Sequence, residues 1–175
     1  YGLPYLKSNQ FKTLQINTNK NNNFEGYHTI VGAGTGVGIS RGIISKSKIF
    51  VLPSEGGHIE FAPKTPEEWE LKQWMKEYLN IERVSYERII SGEGLSNIAK
   101  WKFSKEDIRD HPFNQHLEEA KESNIIKKSL AGKICKLAKE GDPLMAGIET
   151  LWFNAYASFI GDLALHELCR GGLWI

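Results

Sequence analysis

The chain has 175 residues, 41% of them hydrophobic, which is enough for one compact domain with a substantial core. Lys and Arg number 22 against 21 Asp and Glu, and cations gather nowhere beyond the scattered lysines of 127–139, which excludes nucleic acid or an anionic membrane as the main partner. Charges at Glu149, Asp162 and Glu167 break the apolar stretches and exclude a membrane span. The two cysteines, Cys135 and Cys169, sit in segments that read as helical and form no C-x-x-C pair. A soluble, cytoplasmic protein of a reducing compartment that handles small ligands is the expectation.

Residues 1–28 join a short apolar opening to the polar tract 17–23, which suits a solvated loop. From 29 to 44, β-branched residues flank the cluster Gly32-Ala33-Gly34-Thr35-Gly36-Val37-Gly38 and predict strand, tight turn, strand. A further short strand at 49–52 completes a small antiparallel set between 29 and 62. Thr65-Pro66-Glu67-Glu68 predicts a helix start, with Thr65 as N-cap, Pro66 in the first position and Glu68 closing a capping box. Trp69, Trp74, Tyr78 and Leu79 continue that helix to an end near Asn80.

A second helix is predicted from about Gly94 through Leu95, Ile98 and Trp101, whereas residues 102–123 are charged and show no clear period. Ser123 or Asn124 caps a third, whose Ile126, Leu130, Ile134, Leu137 and Ala138 recur every three or four places up to Gly141. Asp142-Pro143 opens the longest helix, about 26 residues by its period, with Leu144, Ile148, Leu151, Trp152, Ala155, Phe159 and Leu163 as one stripe. That stripe predicts core positions for Trp152 and Phe159 and a helix packed behind the sheet. The opening Tyr1 and the closing Gly171-Gly172-Leu173-Trp174-Ile175, which reads as glycines entering a buried strand, predict a piece of a longer chain. Strands early and helices late predict an α/β core, with an α+β arrangement as the alternative.

Three segments carry candidate chemistry. The glycine cluster fails the G-x-G-x-x-G fingerprint, because Val37 or Ile39 stands in the last place, and the chain has no Gly-Lys-Ser/Thr of a P-loop. What remains is either an anion-binding turn, with backbone N–H groups and the Thr35 hydroxyl offered to phosphate, or a plain hairpin with glycines for positive φ. In Pro53-Ser54-Glu55-Gly56-Gly57-His58-Ile59-Glu60-Phe61-Ala62-Pro63, two carboxylates and an imidazole surround a glycine pair. Carboxylates accept from adjacent hydroxyls and an imidazole does either, so the set suits a polyol; solvated glutamates with His58 capping a turn is the alternative. A zinc reading of His58-Ile59-Glu60 lacks its P-C-x-x-C partner. Finally, Ser85-Tyr86-Glu87-Arg88-Ile89-Ile90-Ser91-Gly92-Glu93-Gly94-Leu95 sets Glu87 before a helix start whose free N–H groups suit a polar ligand or phosphate. The rival there is a helix joint in which Glu87 pairs with a neighbouring Arg or Lys.

In this order and approximate spacing the three segments resemble the bacterial glucokinase family. The resemblance extends to the opening Tyr1-Gly2-Leu3-Pro4-Tyr5-Leu6 and to the closing glycines, is weakest over 102–140, and is most specific at Glu55-Gly56-Gly57-His58. It implies an actin-like ATPase (ribonuclease H-like) fold of two α/β domains closing on ATP and glucose, with 1–175 as most of the large C-terminal domain. It further implies that Glu55, His58 and Glu87 match residues holding glucose hydroxyls, and that Gly34, Thr35 and Gly36 match the second phosphate-binding turn. Mg2+ accompanies the ATP, no metal ligand is expected within the chain, and homodimers are frequent in the family. The cysteine-rich zinc motif of the related repressor/kinase group has no counterpart here.

The resemblance also places a first phosphate turn, Asp-x-Gly-Gly-Thr, and a catalytic Asn-Asp pair upstream of Tyr1, and the last adenosine-site glycines beyond Ile175. No catalytic residue is therefore expected within the chain, which by itself should bind weakly and turn over little. Two alternatives stand beside the glucose kinase: a catalytically inactive sugar-binding or regulatory module of the same fold, and a kinase for another hexose such as mannose or an amino sugar.

Overall fold

In the computed structural model, which describes residues 6–14, 25–46, 48–105, 110–122 and 124–175, the β-branched runs around the glycine cluster pair as a hairpin. Strand β1 (Gly26–Ala33) runs antiparallel to β2 (Val37–Ser45) across the bend at 34–36, and β3 (Lys48–Ser54) pairs antiparallel to β2. These are the three predicted strands, each longer than its apolar kernel. Strand β4 (Gly172–Trp174) adds parallel to the other side of β1 and gives the order β3-β2-β1-β4. The strand expected at the closing glycines thus forms, but half-buried instead of buried, because it is the outermost described strand on that side. Val31, Val37 and Ile39 turn one sheet face into the core shared with the helices.

Helix α1 (Pro66–Leu79) starts as its sequence predicts, with the Thr65 hydroxyl accepting the Glu68 N–H at 3.1 Å, and ends on Asn80 in the left-handed region at φ 50. The capping box does not close in its expected form. The Glu68 carboxylate, held at 3% exposure, accepts from the Lys64 N–H at 2.6 Å, one residue further out than Thr65. Removing the Thr65 hydroxyl in Thr65→Ala should cost about 1 kcal/mol and lower the melting temperature by roughly 2–4 °C, measured by circular dichroism. An unchanged midpoint would mean that the Lys64 bond alone caps the helix.

A single turn, α2 (Glu87–Ile90), leads into α3 (Gly92–Lys105), which begins two residues ahead of the predicted start. Helix α4 (Phe113–Glu122) occupies part of the charged stretch that showed no period. Its buried Phe113, Leu117 and Ala120 are helically spaced, but flanking charges mask them in sequence. Helices α5 (Asn124–Lys139) and α6 (Pro143–Glu167) follow as predicted, the latter 25 residues long and capped by the Asp142 carboxylate, which accepts the Met145 N–H at 3.0 Å.

Helix α6 packs mainly against α5 and α3 and touches the sheet along β1 and, through the Glu167–Arg41 ion pair at 3.6 Å, at β2, so it belongs to a helical layer more than to the back of the sheet. Phe159 is fully buried. Trp152 is only half-buried, and its indole N–H donates to the Ser91 carbonyl at 3.1 Å. Cys135 lies in α5 and Cys169 just beyond the end of α6, both as free thiols. Among the described residues no helix is long and apolar enough to cross a membrane. The loop expected at 17–23 and the opening 1–5 lie outside the described residues. Strands early and helices late give the mixed α/β class that the sequence predicts.

Candidate functional site

Two segments that follow the hairpin are joined across a short antiparallel bridge. Phe61 N–H donates to Val84 O at 2.8 Å and Tyr86 N–H to Ile59 O at 3.0 Å, around the pair Glu60 and Ser85. On one side of the bridge lies the 3-10 turn Gly56–His58; on the other, Glu87 opens α2. The bridge therefore carries His58 and Glu87, distant in sequence, into one site. Close packing of the turn onto β2 requires glycine at 57, since a Cβ there would lie 2.3 Å from the Val37 carbonyl oxygen.

Lys72 of α1 anchors the far end of the segment, donating to the Phe61 carbonyl at 2.8 Å and pairing with Glu60 at 2.8 Å. The Lys72 hydrogen bond, followed by its charge, holds the Glu60 carboxyl below the usual carboxylate range. Glu60 is thus turned toward α1, and of the two carboxylates around the glycine pair only Glu55 stays beside His58.

His58 stands between two carboxylates. Its Nε2 lies 3.6 Å from Glu55 Oε2 and its Nδ1 3.8 Å from Glu87 Oε1. The other oxygen of Glu87, Oε2, accepts the Val37 N–H at 2.9 Å. Side-chain exposure is 33% for Glu87 and 91% for Glu55, so Glu87 is the fixed member and Glu55 the free one at the rim. The alternative in which Glu87 is spent on a neighbouring Arg or Lys is not what forms: its described partners are His58 and the Val37 amide. Gly36 also leaves room for Glu87, as a Cβ there would lie 2.6 Å from Oε2. The carboxylate aimed at His58 therefore also buttresses the amide that closes the glycine bend.

His58, Glu87 and Thr35 line one cleft of about 290 Å³. Glu55 is outside its lining. Gly34 and Gly36 flank Thr35 in the bend, but the Gly34 N–H, expected to face a phosphate, is consumed within the turn by the Gly36 carbonyl at 2.8 Å. The expected free N-terminus of α3 is also occupied. Gly92 N–H donates to Gly34 O at 2.8 Å, and Gly94 N–H to the Ser91 hydroxyl at 3.0 Å. A serine N-cap and the adjacent bend satisfy those donors, as buried amides require. The exposed Thr35 stands in the bend at the cleft wall, where it can meet an anion.

Sequence reasoning did not single out Arg83, Ser85, Arg88, Ser91 or Glu93, which complete the cleft. Their one sequence signal is nearness to Glu87. Arg83 reaches back across the bridge to donate from Nη1 to the His58 carbonyl at 2.8 Å. Carboxylate acceptors beside an imidazole on one wall, with guanidinium and hydroxyl donors on the others, suit a small hydroxylated ligand adjoining an anionic group. Among the described residues no group of three His, Cys, Asp or Glu is placed to hold a metal ion.

Comparison with known proteins gives a consistent family. The glucokinase of Synechocystis is 33% identical over 155 residues, covering 83% of this chain and 43% of that protein, and the glucokinase of Nostoc is 33% identical, covering 100% of this chain and 52% of that protein. The chain thus spans about half the length of these curated relatives. The crystal structure of Balamuthia mandrillaris glucokinase in complex with glucose superposes with a TM-score of 0.62 at 28% identity, over 85% of this chain and 38% of that one. A glucokinase from an Antarctic psychrotroph superposes with a TM-score of 0.65 at 24% identity, over 98% of this chain and 47% of that one, a likeness of fold. The family model described as Glucokinase matches residues 1–175, the whole of the chain, which therefore belongs to the glucokinase family.

Proposed function

We propose that the full-length protein is an ATP-dependent hexose kinase that phosphorylates the 6-hydroxyl of glucose, and that residues 1–175 form most of its large C-terminal domain. The observation that carries this reading is the His58 imidazole between the Glu55 and Glu87 carboxylates, in a cleft whose wall includes Thr35 of the glycine bend. Glu87, fixed by the Val37 amide, takes sugar hydroxyl donors without first having to be ordered, and His58 adds a group that donates or accepts. Glu55 closes over the sugar from the rim. These side chains orient the sugar, and the proton of its 6-hydroxyl goes to an aspartate outside this chain.

ATP phosphates lie against Gly34, Thr35 and Gly36, with Thr35 as the side-chain donor. Mg2+ would come with the nucleotide and offset phosphate charge, as the family resemblance implies. Closure of the two domains excludes water as a competing acceptor. A cytoplasmic location fits the two free thiols, and a homodimer is the assembly the family resemblance implies.

The test is ATP- and Mg2+-dependent phosphorylation by the full-length protein of glucose, with mannose and fructose as competitors. Glucose turnover that outpaces both competitors is expected. A folded protein that binds glucose without turnover would be the sugar-binding module instead, and preference for another hexose would reassign the acceptor.

A further inference from the structure

We infer that Arg83 is a positioning residue for the sugar site: by holding the His58 carbonyl it fixes the aim of the His58 imidazole, a role that rests on the hexose-kinase reading above. The backbone bonds of the short bridge end at Ile59, whose carbonyl takes the Tyr86 N–H, and the chain at Glu87 has already turned into α2. His58 therefore has no backbone donor from the bridge for its carbonyl, and the Arg83 guanidinium supplies one at 2.8 Å, extending the bridge by a single side-chain bond. Arg83 is exposed along most of its length, and this bond is what ties its guanidinium to the turn. Arg83 is itself part of the cleft wall beside His58 and Glu87.

The side chain of His58 lacks a comparable anchor. Its contacts with Glu55 and Glu87 are 3.6 and 3.8 Å, too long to fix a ring orientation by themselves, and Glu55 is largely solvated. The ring is aimed chiefly by its backbone. That backbone is a single 3-10 turn held by His58 N–H to Glu55 O at 2.9 Å and a longer Ile59 N–H to Gly56 O at 3.3 Å, so an external donor on its last carbonyl decides how often the ring points into the cleft. A site populated only part of the time in its binding form loses affinity by that fraction, while the complexes that do form react normally.

The experiment compares full-length wild type with Arg83→Ala and Arg83→Lys. In Arg83→Ala the glucose KM should rise about tenfold, the size of one lost charged hydrogen bond, with kcat within about twofold. The NMR signal of the His58 ring Cε1–H should move toward its free-peptide position. Arg83→Lys, which keeps one charged donor, should bring both most of the way back. A merely structural role would instead lower the melting temperature and kcat together and leave KM at the wild-type value. The inference is overturned if either KM or the ring signal in Arg83→Ala stays at its wild-type value. If the wild type turns over no hexose, the kinase reading fails by itself, and the ring signal alone decides the role of Arg83.

Discussion

Glu87→Gln in the full-length protein should lower kcat/KM for glucose between about ten- and a hundredfold, because it removes a charged acceptor that serves two partners at once. Glu87 Oε2 accepts from the Val37 amide at 2.9 Å, and Oε1 faces His58 at 3.8 Å. An amide of the same shape has one oxygen and one NH2. If the oxygen keeps the Val37 bond, the NH2 faces His58 and the sugar, where an acceptor is needed; if the amide flips, two N–H donors confront each other at Val37. Either orientation weakens sugar binding, and the second also loosens the bend that carries Thr35. The side chain is partly exposed, so the fold should survive, with a melting temperature within a few degrees of wild type. Near-normal kcat/KM in Glu87→Gln would mean that the carboxylate only props the bend and takes no sugar hydroxyl.

Gly57→Ala should do more damage than its single methyl suggests, and to stability as well as to activity. The added Cβ would lie 2.3 Å from the Val37 carbonyl oxygen and 3.0 Å from the Val37 Cβ, both on a strand whose pairing with β1 fixes it in place. Since the strand cannot give, the turn must, and the turn carries His58. Overpacking of this kind costs typically 1–3 kcal/mol, so the melting temperature should fall by roughly 2–12 °C. The glucose KM should rise alongside it, because the imidazole leaves its place between the two carboxylates. Calorimetric melting and glucose saturation curves on the same preparation read both effects; a wild-type KM would mean that the turn relaxes without moving His58, and a wild-type melting temperature that it relaxes without strain.

Much of this architecture was legible because its signals are local. Thr65-Pro66 and Asp142-Pro143 announce helix starts that hydroxyl and carboxylate caps then make, and the glycine cluster between β-branched runs gives the hairpin. Residue chemistry points to the carboxylates and imidazole of 53–63 and to Glu87 separately, the family resemblance selects Glu55, His58 and Glu87 among them, and the fold brings these three together.

What escaped depends on partners far along the chain. Glu68 bonding Lys64, Gly92 bonding Gly34, and Trp152 left half-exposed to hold Ser91 are choices between donors and acceptors that sequence spacing does not rank. The parallel addition of β4 to β1 joins opposite ends of the chain. Arg83 is missed for the same reason: an arginine next to Glu82 looks like any solvated cation until the bridge brings it to the His58 carbonyl.

The central claim, that the cleft around His58 holds the sugar, is tested most directly by calorimetric titration of D-glucose into the full-length protein and its His58→Ala variant. Saturable binding to the wild type that disappears in a folded His58→Ala is the expected result. Equal affinity in the two proteins, or no binding to the wild type, would contradict it.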